Sequence, residues 1–177
     1  MTTAKTPDQL DAMVEHIRYE VVQLLNFGTL GNEWPHQFGL RADLAVFTSG
    51  CLLEAALLHS RNLIEFLQRY PKNRDCLRAT EYAPKWQMPT DLRIDEQEYT
   101  DLSARLVHIG VDRVSVVEEG AYRWNEHITL VAPRLLRAFA AFLSQISNDH
   151  RKRFLKPRSE LPVIDLEQMI PMILGPA

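Results

Sequence analysis

The sequence predicts an all-α protein: a four-helix-type bundle with a long loop between the second and third helices and an extended, proline-rich C-terminal tail. Two observations support this prediction. Four segments place apolar residues at helical spacing, so that each would present one apolar face. A glycine or proline follows each of the first three segments, at Gly28, Pro71 and Gly110, where a helix is expected to end. Packing the apolar face of one helix against the other three removes all four faces from water.

The start of the first helix is marked by three residues with separate roles. Thr6 can cap the helix, Pro7 suits its first position, and Gln9 stands where a capping box needs it. Apolar residues then recur with the helical period, and the helix is expected to end near Gly28.

The second helix is predicted from Ala42 or Asp43 to Tyr70, with Pro71 ending it. One face of this helix carries apolar residues interrupted by a single histidine: Leu52, Ala55, Ala56, His59, Leu63 and Phe66. The spacing predicts that His59 points into the core and that Arg61 points away from it. Asn62 falls at the edge of the apolar face, where its amide could bond across a helix interface.

A long loop, residues 71–94, is predicted next. Its length exceeds that of most connections in a compact domain, and such loops are more often functional or mobile than short ones. A short helical turn inside it is compatible with the sequence. The third helix is expected from Asp95, a possible cap, to Ile109.

The fourth helix is predicted over residues 125–146. Pro133 lies inside it, and a proline in a helix interior removes a hydrogen bond and clashes with the preceding turn. We therefore expect a kink at Pro133 or a helix that begins near Ala132. Residues 1–147 would form the bundle domain, and residues 148–177 an extended tail that packs on the bundle or on a partner chain.

The bulk composition is that of an ordinary globular protein, with 177 residues, 46% hydrophobic and 24% charged. The formal net charge of −3 gives the surface as a whole no electrostatic reason to bind nucleic acid. No secretory signal opens the chain, and no stretch approaches the roughly 18 apolar residues of a membrane span. We expect a cytoplasmic protein in which Cys51 and Cys76 are reduced thiols.

His59 is the first candidate for chemistry. An imidazole inside a helical core needs hydrogen-bond partners, and it could be a metal ligand, a proton acceptor facing a pocket, or a structural residue bonded across the bundle. His16, His108 and His127 on the other predicted helices could converge with it, but nothing in their spacing requires this. We expect no metal site and no cofactor.

Two sets of charged residues are further candidates. Arg61 can pair with Glu54 or Glu65 along its helix, or its planar fork can bind a phosphate or a carboxylate. Arg105 and His108, with Arg113 just after, could hold and cleave a phosphodiester, with His108 as acid or base. The alternative for this second set is a solvated helix face.

A family resemblance enters through the segments LEAALLHSRNLIEFL and LSARLVHIGVDR and the tryptophan downstream of them. Residues 40–145 resemble a group of small uncharacterised bacterial helical proteins with a helix reading "E-x-x-L-x-H-x-R-N-L-I-x-F-L", then a long loop, a motif close to "x-H-L-T-x-x-R" and a Trp. The positions that match are Glu54, His59, Arg61, Asn62, Phe66, His108, Arg113 and Trp124. The resemblance carries no known activity with it.

More distantly, the arrangement is similar to HEPN domains, helical bundles that often dimerise and often cleave RNA. Their ribonuclease motif has an arginine followed by a polar residue and, after four to six residues, a histidine. This chain departs from that spacing, because two residues separate Arg105 from His108 and three separate Arg123 from His127.

Three functional hypotheses follow from the sequence. The first is a cytoplasmic, homodimeric binding or interaction module whose site is framed by His59, Arg61, Asn62 and His108. The second is a HEPN-like ribonuclease or nucleotide-transfer component, with His108 as acid or base and Arg61 or Arg105 on phosphate, and RNA or a nucleotide as partner. The third is a metal-dependent enzyme that uses the helix histidines.

Overall fold

The computed structural model describes residues 5–30, 42–68, 77–107 and 124–155, with side chains for 5–26, 51–52, 54–68, 77–103 and 130–155. Six α-helices lie in these residues: α1 Pro7–Leu30, α2 Ala42–Leu67, α3 Ala79–Tyr82, α4 Glu96–Val107, α5 Trp124–Gln145 and α6 Asn148–Leu155. A single 3₁₀ turn spans Thr90–Leu92. The described residues contain no strand, and the helices pack on one another, so the prediction of an all-α protein is confirmed.

The predicted capping box at the start of α1 is present. The backbone N–H of Gln9 donates to Thr6 Oγ1 at 3.3 Å, and the backbone N–H of Thr6 donates to Gln9 Oε1 at 2.9 Å. Two donors that the first turn would leave without partners are thereby satisfied. The helix continues past Gly28 to Leu30, two residues beyond its expected end.

Helix α2 is the central element, because it packs against α1, α4 and α5. Its fully buried residues cover a wide face that includes Ala56, Leu57, Leu63 and Ile64. The helix ends at Leu67, before the predicted end at Tyr70. At this end the Trp86 side chain donates to the carbonyl of Leu67, as described below.

The segment between α2 and α4 is held to the bundle by apolar anchors. Tyr82 at the end of α3 and Trp86 in the following loop are 6% and 5% exposed, and Ile94 is 1% exposed. The Tyr82 hydroxyl donates to the Leu10 carbonyl on α1 at 2.7 Å. The predicted long loop therefore contains two short helical turns, α3 and the 3₁₀ turn, fastened at several points.

Helices α4 and α5 lie close to their predicted bounds. Asp95 and Glu98 form a second capping box, with backbone N–H to carboxylate distances of 2.7 and 2.9 Å. Helix α5 runs without a break from Trp124 through Pro133, so the alternative start near Ala132 is wrong. Val131 and Leu135 on either side of Pro133 are buried, and this burial offsets the local cost of the proline.

The prediction of an extended tail from residue 148 is wrong for its first eight residues, which form α6. Ser147 caps this helix, because its Oγ accepts from the backbone N–H of His150 at 3.3 Å. Phe154 is fully buried, and Arg153 forms an ion pair with Asp11 on α1. The prolines and charges in this part of the sequence are typical of a tail. Residues 156–177 lie outside the described residues.

Aromatic rings form the centre of the core. Phe142 on α5 meets the rings of Phe66, Trp86 and Phe154 edge to face, with centroids 5.3 to 5.8 Å apart. Tyr82 lies edge to face with Phe66 and Phe154 as well. Rings from α2, α3, α5, α6 and the loop thus share one cluster, and such pairs add about 0.5–1.5 kcal/mol each beyond their buried area.

Among the described helices, none has a run of apolar residues that would carry it through a bilayer. Cys51 is an exposed free thiol, and Cys76 lies outside the described residues.

Truncating Phe154 tests whether α6 belongs to the folded core. We expect Phe154→Ala to lower the free energy of unfolding by about 3–5 kcal/mol, because it leaves a cavity beside Phe139 and Phe142. Urea unfolding followed by circular dichroism measures this. Leu130→Ala is the matched control, since Leu130 is 64% exposed and its loss should change stability by less than about 0.5 kcal/mol. Equal effects of the two variants would contradict the burial of Phe154.

The buried hydroxyl of Tyr82 should make the free energy of unfolding depend on pH in the alkaline range. Burial raises the pKa of its hydroxyl above the usual value of about 10, and the Glu81 carboxylate raises it further. Above pH 10 the unfolded chain therefore loses this proton while the folded chain keeps it. The free energy of unfolding should fall as pH rises, with a contribution from Tyr82 of up to about 1.4 kcal/mol per pH unit.

Urea unfolding between pH 9 and 11 checks this expectation. Tyr82→Phe should show a shallower decline than the natural protein, although it starts from lower stability because the bond to Leu10 is lost. Tyr19→Phe is the control, since Tyr19 is 51% exposed, and its decline should match that of the natural protein. A Tyr82→Phe slope equal to the natural one would refute the assignment.

Candidate functional site

His59 points inward from α2, as the spacing predicts, and its side chain is 9% exposed. Its Nδ1 lies 2.6 Å from Oε2 of Glu20 on α1. The ring of Tyr19 meets the imidazole edge on, at a centroid distance of 5.6 Å. Because an ionised carboxylate only accepts hydrogen bonds, Nδ1 carries the proton in this pair, and the contact fixes the orientation of the ring. His59 therefore ties α2 to α1.

Arg61 belongs to a separate hydrogen-bond network that joins α2 to α4. Its Nε donates to Glu65 Oε1 at 3.1 Å, and the Tyr99 hydroxyl donates to the same oxygen at 2.6 Å. Partial burial lowers the pKa of the Arg61 guanidinium, but hydrogen bonds to Tyr99 and Glu65 outweigh this effect and raise the pKa overall. The i, i+4 pairing within α2 is thus formed, and it is extended by a residue of α4.

The two central residues of the predicted site therefore contact different helices. His59 and Arg61 are separated by about 200° around α2, which directs one to α1 and the other to α4. Glu54 and Asn62 are exposed on α2, so the Asn62 amide is not inside a helix interface. The site predicted around His59, Arg61 and Asn62 is not a single cluster in the described structure.

The remaining predicted residues lie where side chains are not described. Arg105 is in α4, and Trp124 is the first residue of α5. His108 and Arg113 lie outside the described residues, as does the spacing between His59 and His108 that would join the two halves of the predicted site. His16 is exposed on α1. In the part of the chain whose side chains are described, no three metal-ligating residues come together.

A cavity of about 440 Å³ lies at the C-terminal end of α2. The end of α2 and the segment 77–95 build it. Its lining combines apolar, amide, hydroxyl and guanidinium groups, from Phe66, Leu67, Gln68, Arg78, Ala79, Thr80, Trp86, Gln87, Met88 and Arg93. The volume falls within the range of small-molecule sites, about 300–1,000 Å³.

Side chains that bind backbone groups at the end of α2 hold this cavity in shape. The Trp86 indole donates to the Leu67 carbonyl at 2.7 Å, which satisfies one of the last carbonyls of the helix. The Gln68 amide pairs with Ile94 in both directions: its Oε1 accepts from the Ile94 N–H at 2.8 Å, and its Nε2 donates to the Ile94 carbonyl. Two walls of the cavity are thereby fixed to each other.

The charge of the cavity lining is positive. Arg78 precedes α3, and Arg93 follows the 3₁₀ turn, while none of the described lining residues is acidic. Arg93 Nε donates to the Met88 carbonyl at 3.3 Å, and Arg93 forms no ion pair with a described residue. Its own carbonyl accepts from Arg134, which is paired with Glu98 at 2.7 Å. The backbone that carries Arg93 is therefore fastened to both α4 and α5.

The candidate residues from the sequence lie elsewhere, and Gln68, Arg78 and Arg93 are not among them. The sequence does predict residues 71–94 as a long loop of the kind that is more often functional or mobile than short ones. A more specific signal was available in the amide residue directly after the last apolar residue of α2, and in the arginines next to the two short turns. Searches for a matching family model, a curated relative and a solved structure of similar fold found none.

The contact between His59 and Glu20 can be measured by a double-mutant cycle. We expect His59→Ala and Glu20→Ala each to lower stability, and the pair to show a coupling energy of about 1 kcal/mol, since the contact is largely buried on the His59 side. Chemical denaturation of the four proteins gives this energy. A cycle that combines Glu20→Ala with Thr100→Ala, at an exposed residue of α4, should give none. Zero coupling for His59 would contradict the structural role.

Proposed function

We propose that this protein is a ligand-binding module and that its ligand occupies the cavity at the C-terminal end of α2. One observation carries the proposal: a cavity of about 440 Å³ whose walls are fixed by the Trp86 and Gln68 hydrogen bonds and whose lining mixes apolar surface with a few polar groups. That combination, a preformed hollow with few directed polar groups, is typical of small-molecule sites.

The chemistry of the lining supports binding rather than catalysis. The polar groups that the described lining offers are the guanidinium groups of Arg78 and Arg93, the amides of Gln68 and Gln87, and the Thr80 hydroxyl. Guanidinium, amide and hydroxyl side chains donate and accept hydrogen bonds, whereas general acid–base catalysis most often uses histidine or a carboxylate. These groups hold a ligand by hydrogen bonds and charge.

The residues at the centre of the sequence-based site then have a supporting role. The His59–Glu20 contact joins α2 to α1, and the Arg61–Glu65–Tyr99 network joins α2 to α4. Both contacts fix the direction of α2, and its last turn forms one wall of the cavity. A bundle held in this way provides a rigid frame for the segment 77–95.

The homodimer and the two enzyme hypotheses from the sequence each have a separate test. Incubation with mixed RNA, compared with His108→Ala, tests the HEPN-like ribonuclease, and light scattering during size-exclusion chromatography tests the homodimer. Elemental analysis of the purified protein tests the metal-dependent enzyme.

A fragment screen by protein NMR tests the binding module directly. We expect fragments that bind to shift the resonances of cavity residues, including the Trp86 indole N–H. Thr80→Trp should weaken the binding of those fragments at least 10-fold, because its larger side chain fills part of the cavity. Dissociation constants from titrations of both proteins measure the effect.

Thr100→Trp is the matched control for this experiment, since Thr100 is exposed on α4 and outside the cavity lining. Its affinities should equal those of the natural protein, and thermal unfolding should show that both variants fold. Fragments that bind only elsewhere, or that bind Thr80→Trp unchanged, would overturn the proposal.

A further inference from the structure

We infer that the ligand of this cavity carries an anionic group, a carboxylate or a phosphate, which Arg78 and Arg93 bind, joined to an apolar body that lies against Phe66 and Met88. The inference rests on the proposed function, because it names the chemical class of ligand for the same cavity.

Charge is the first argument. The chain has a formal net charge of −3, and the segment 77–95 that helps to build the cavity contains three Lys and Arg against three Asp and Glu. Within the cavity the described lining has two guanidinium groups and no carboxylate. In a protein that is negative overall, a lining with two arginines attracts an anion more strongly than a part of the described surface without such a pair of arginines.

The C-terminal end of α2 carries a partial negative charge that repels an anion, so its size has to be compared with the positive charge of the lining. The C-terminal end of a helix is equivalent to about −0.5 elementary charge. Here the Leu67 carbonyl already accepts from Trp86, which reduces what that end presents to the cavity. The full positive charge of Arg93, whose terminal nitrogens donate to no described residue, exceeds this partial charge, so the sum favours a negative ligand.

The position of Arg93 is the second argument. Its Nε is engaged by the Met88 carbonyl, and its terminal nitrogens donate to no described residue. A guanidinium fixed at Nε still presents two donors in a plane, which matches the geometry of a carboxylate or a phosphate. Arg134 donates to the carbonyl of Arg93 and is itself paired with Glu98. Because the backbone of Arg93 is held in this way, its donors need little reorganisation to meet a ligand.

The apolar part of the lining gives the second half of the ligand class. Phe66, Leu67, Trp86 and Met88, which are 3–7% exposed, contribute apolar groups to the cavity lining. An inorganic ion makes no apolar contact with these groups. A ligand with an apolar body does, and it also removes its own apolar surface from water, at about 25 cal/mol per Å².

Matched pairs of fragments test the inference by NMR titration. The probes are aromatic and aliphatic carboxylic acids, each paired with its amide, and phosphate monoesters, each paired with its alcohol, with inorganic phosphate as a further probe. We expect the anionic member of at least one series to bind in the cavity 10-fold or more tightly than its neutral partner, and more tightly than inorganic phosphate. The carboxylate and phosphate series distinguish the two sources of charge.

Arg93→Gln should weaken the anionic probes about 10-fold and leave their neutral partners unchanged, since one charge-assisted hydrogen bond contributes about 1.5–3 kcal/mol and 1.4 kcal/mol corresponds to tenfold. Arg78→Gln should act alike, and Arg78 makes no side-chain hydrogen bond that caps α3. Arg137→Gln, which removes an exposed charge of α5 outside the cavity lining, is the control and should change neither.

Each outcome decides the question. If acids and amides bind the cavity alike, or if Arg93→Gln changes affinity no more than Arg137→Gln, the anionic ligand is wrong while the binding module stands. If no probe of either kind shifts the cavity residues, both proposals are overturned.

Discussion

The structure depends on the packing of one central helix. Helix α2 packs against three others, so the polar groups on its buried faces need partners inside the protein. Glu20 meets His59, Trp86 meets the carbonyl of Leu67, and Gln68 bonds both backbone groups of Ile94. Helix carbonyls lack partners of their own at the C-terminal end, and there Trp86 from the segment 77–95 supplies a donor to Leu67.

The aromatic cluster then joins the pieces that α2 alone does not hold. Phe142 contributes from α5, Tyr82 from α3, Trp86 from the loop and Phe154 from α6. Each ring brings its own segment to the same point, so α6 and the loop share their stability with the long helices. The loop is consequently a wall of the core as well as a connection, and residues between its anchors can face a cavity without weakening the fold.

The sequence predicts those features of the structure that depend on residues close together in the chain. The helical period and the capping boxes at Thr6 and Asp95 use neighbours within one turn, and the long helices and their starts are where they were expected. The inward direction of His59 follows from the same period. Its partner Glu20 does not, because that contact joins residues 39 apart along the chain. Helix α6 was missed because the burial of Phe154, a tertiary contact, stabilises a segment of charged residues.

The same distinction explains why the sequence points to other residues than those that line the cavity. Polar residues within an apolar helix face stand out in a sequence. In this fold such a residue is buried and needs a hydrogen-bond partner, and for that reason His59 contacts Glu20. The residues that line the cavity lie at a helix end and in the turns beside it, where polar residues are ordinary and no pattern marks them. Arg93 is distinguished only by what surrounds it: the Met88 carbonyl at its Nε, Arg134 at its carbonyl and apolar rings across the cavity. In the proposed function, the side chains of the loop between its anchors are those that meet the ligand.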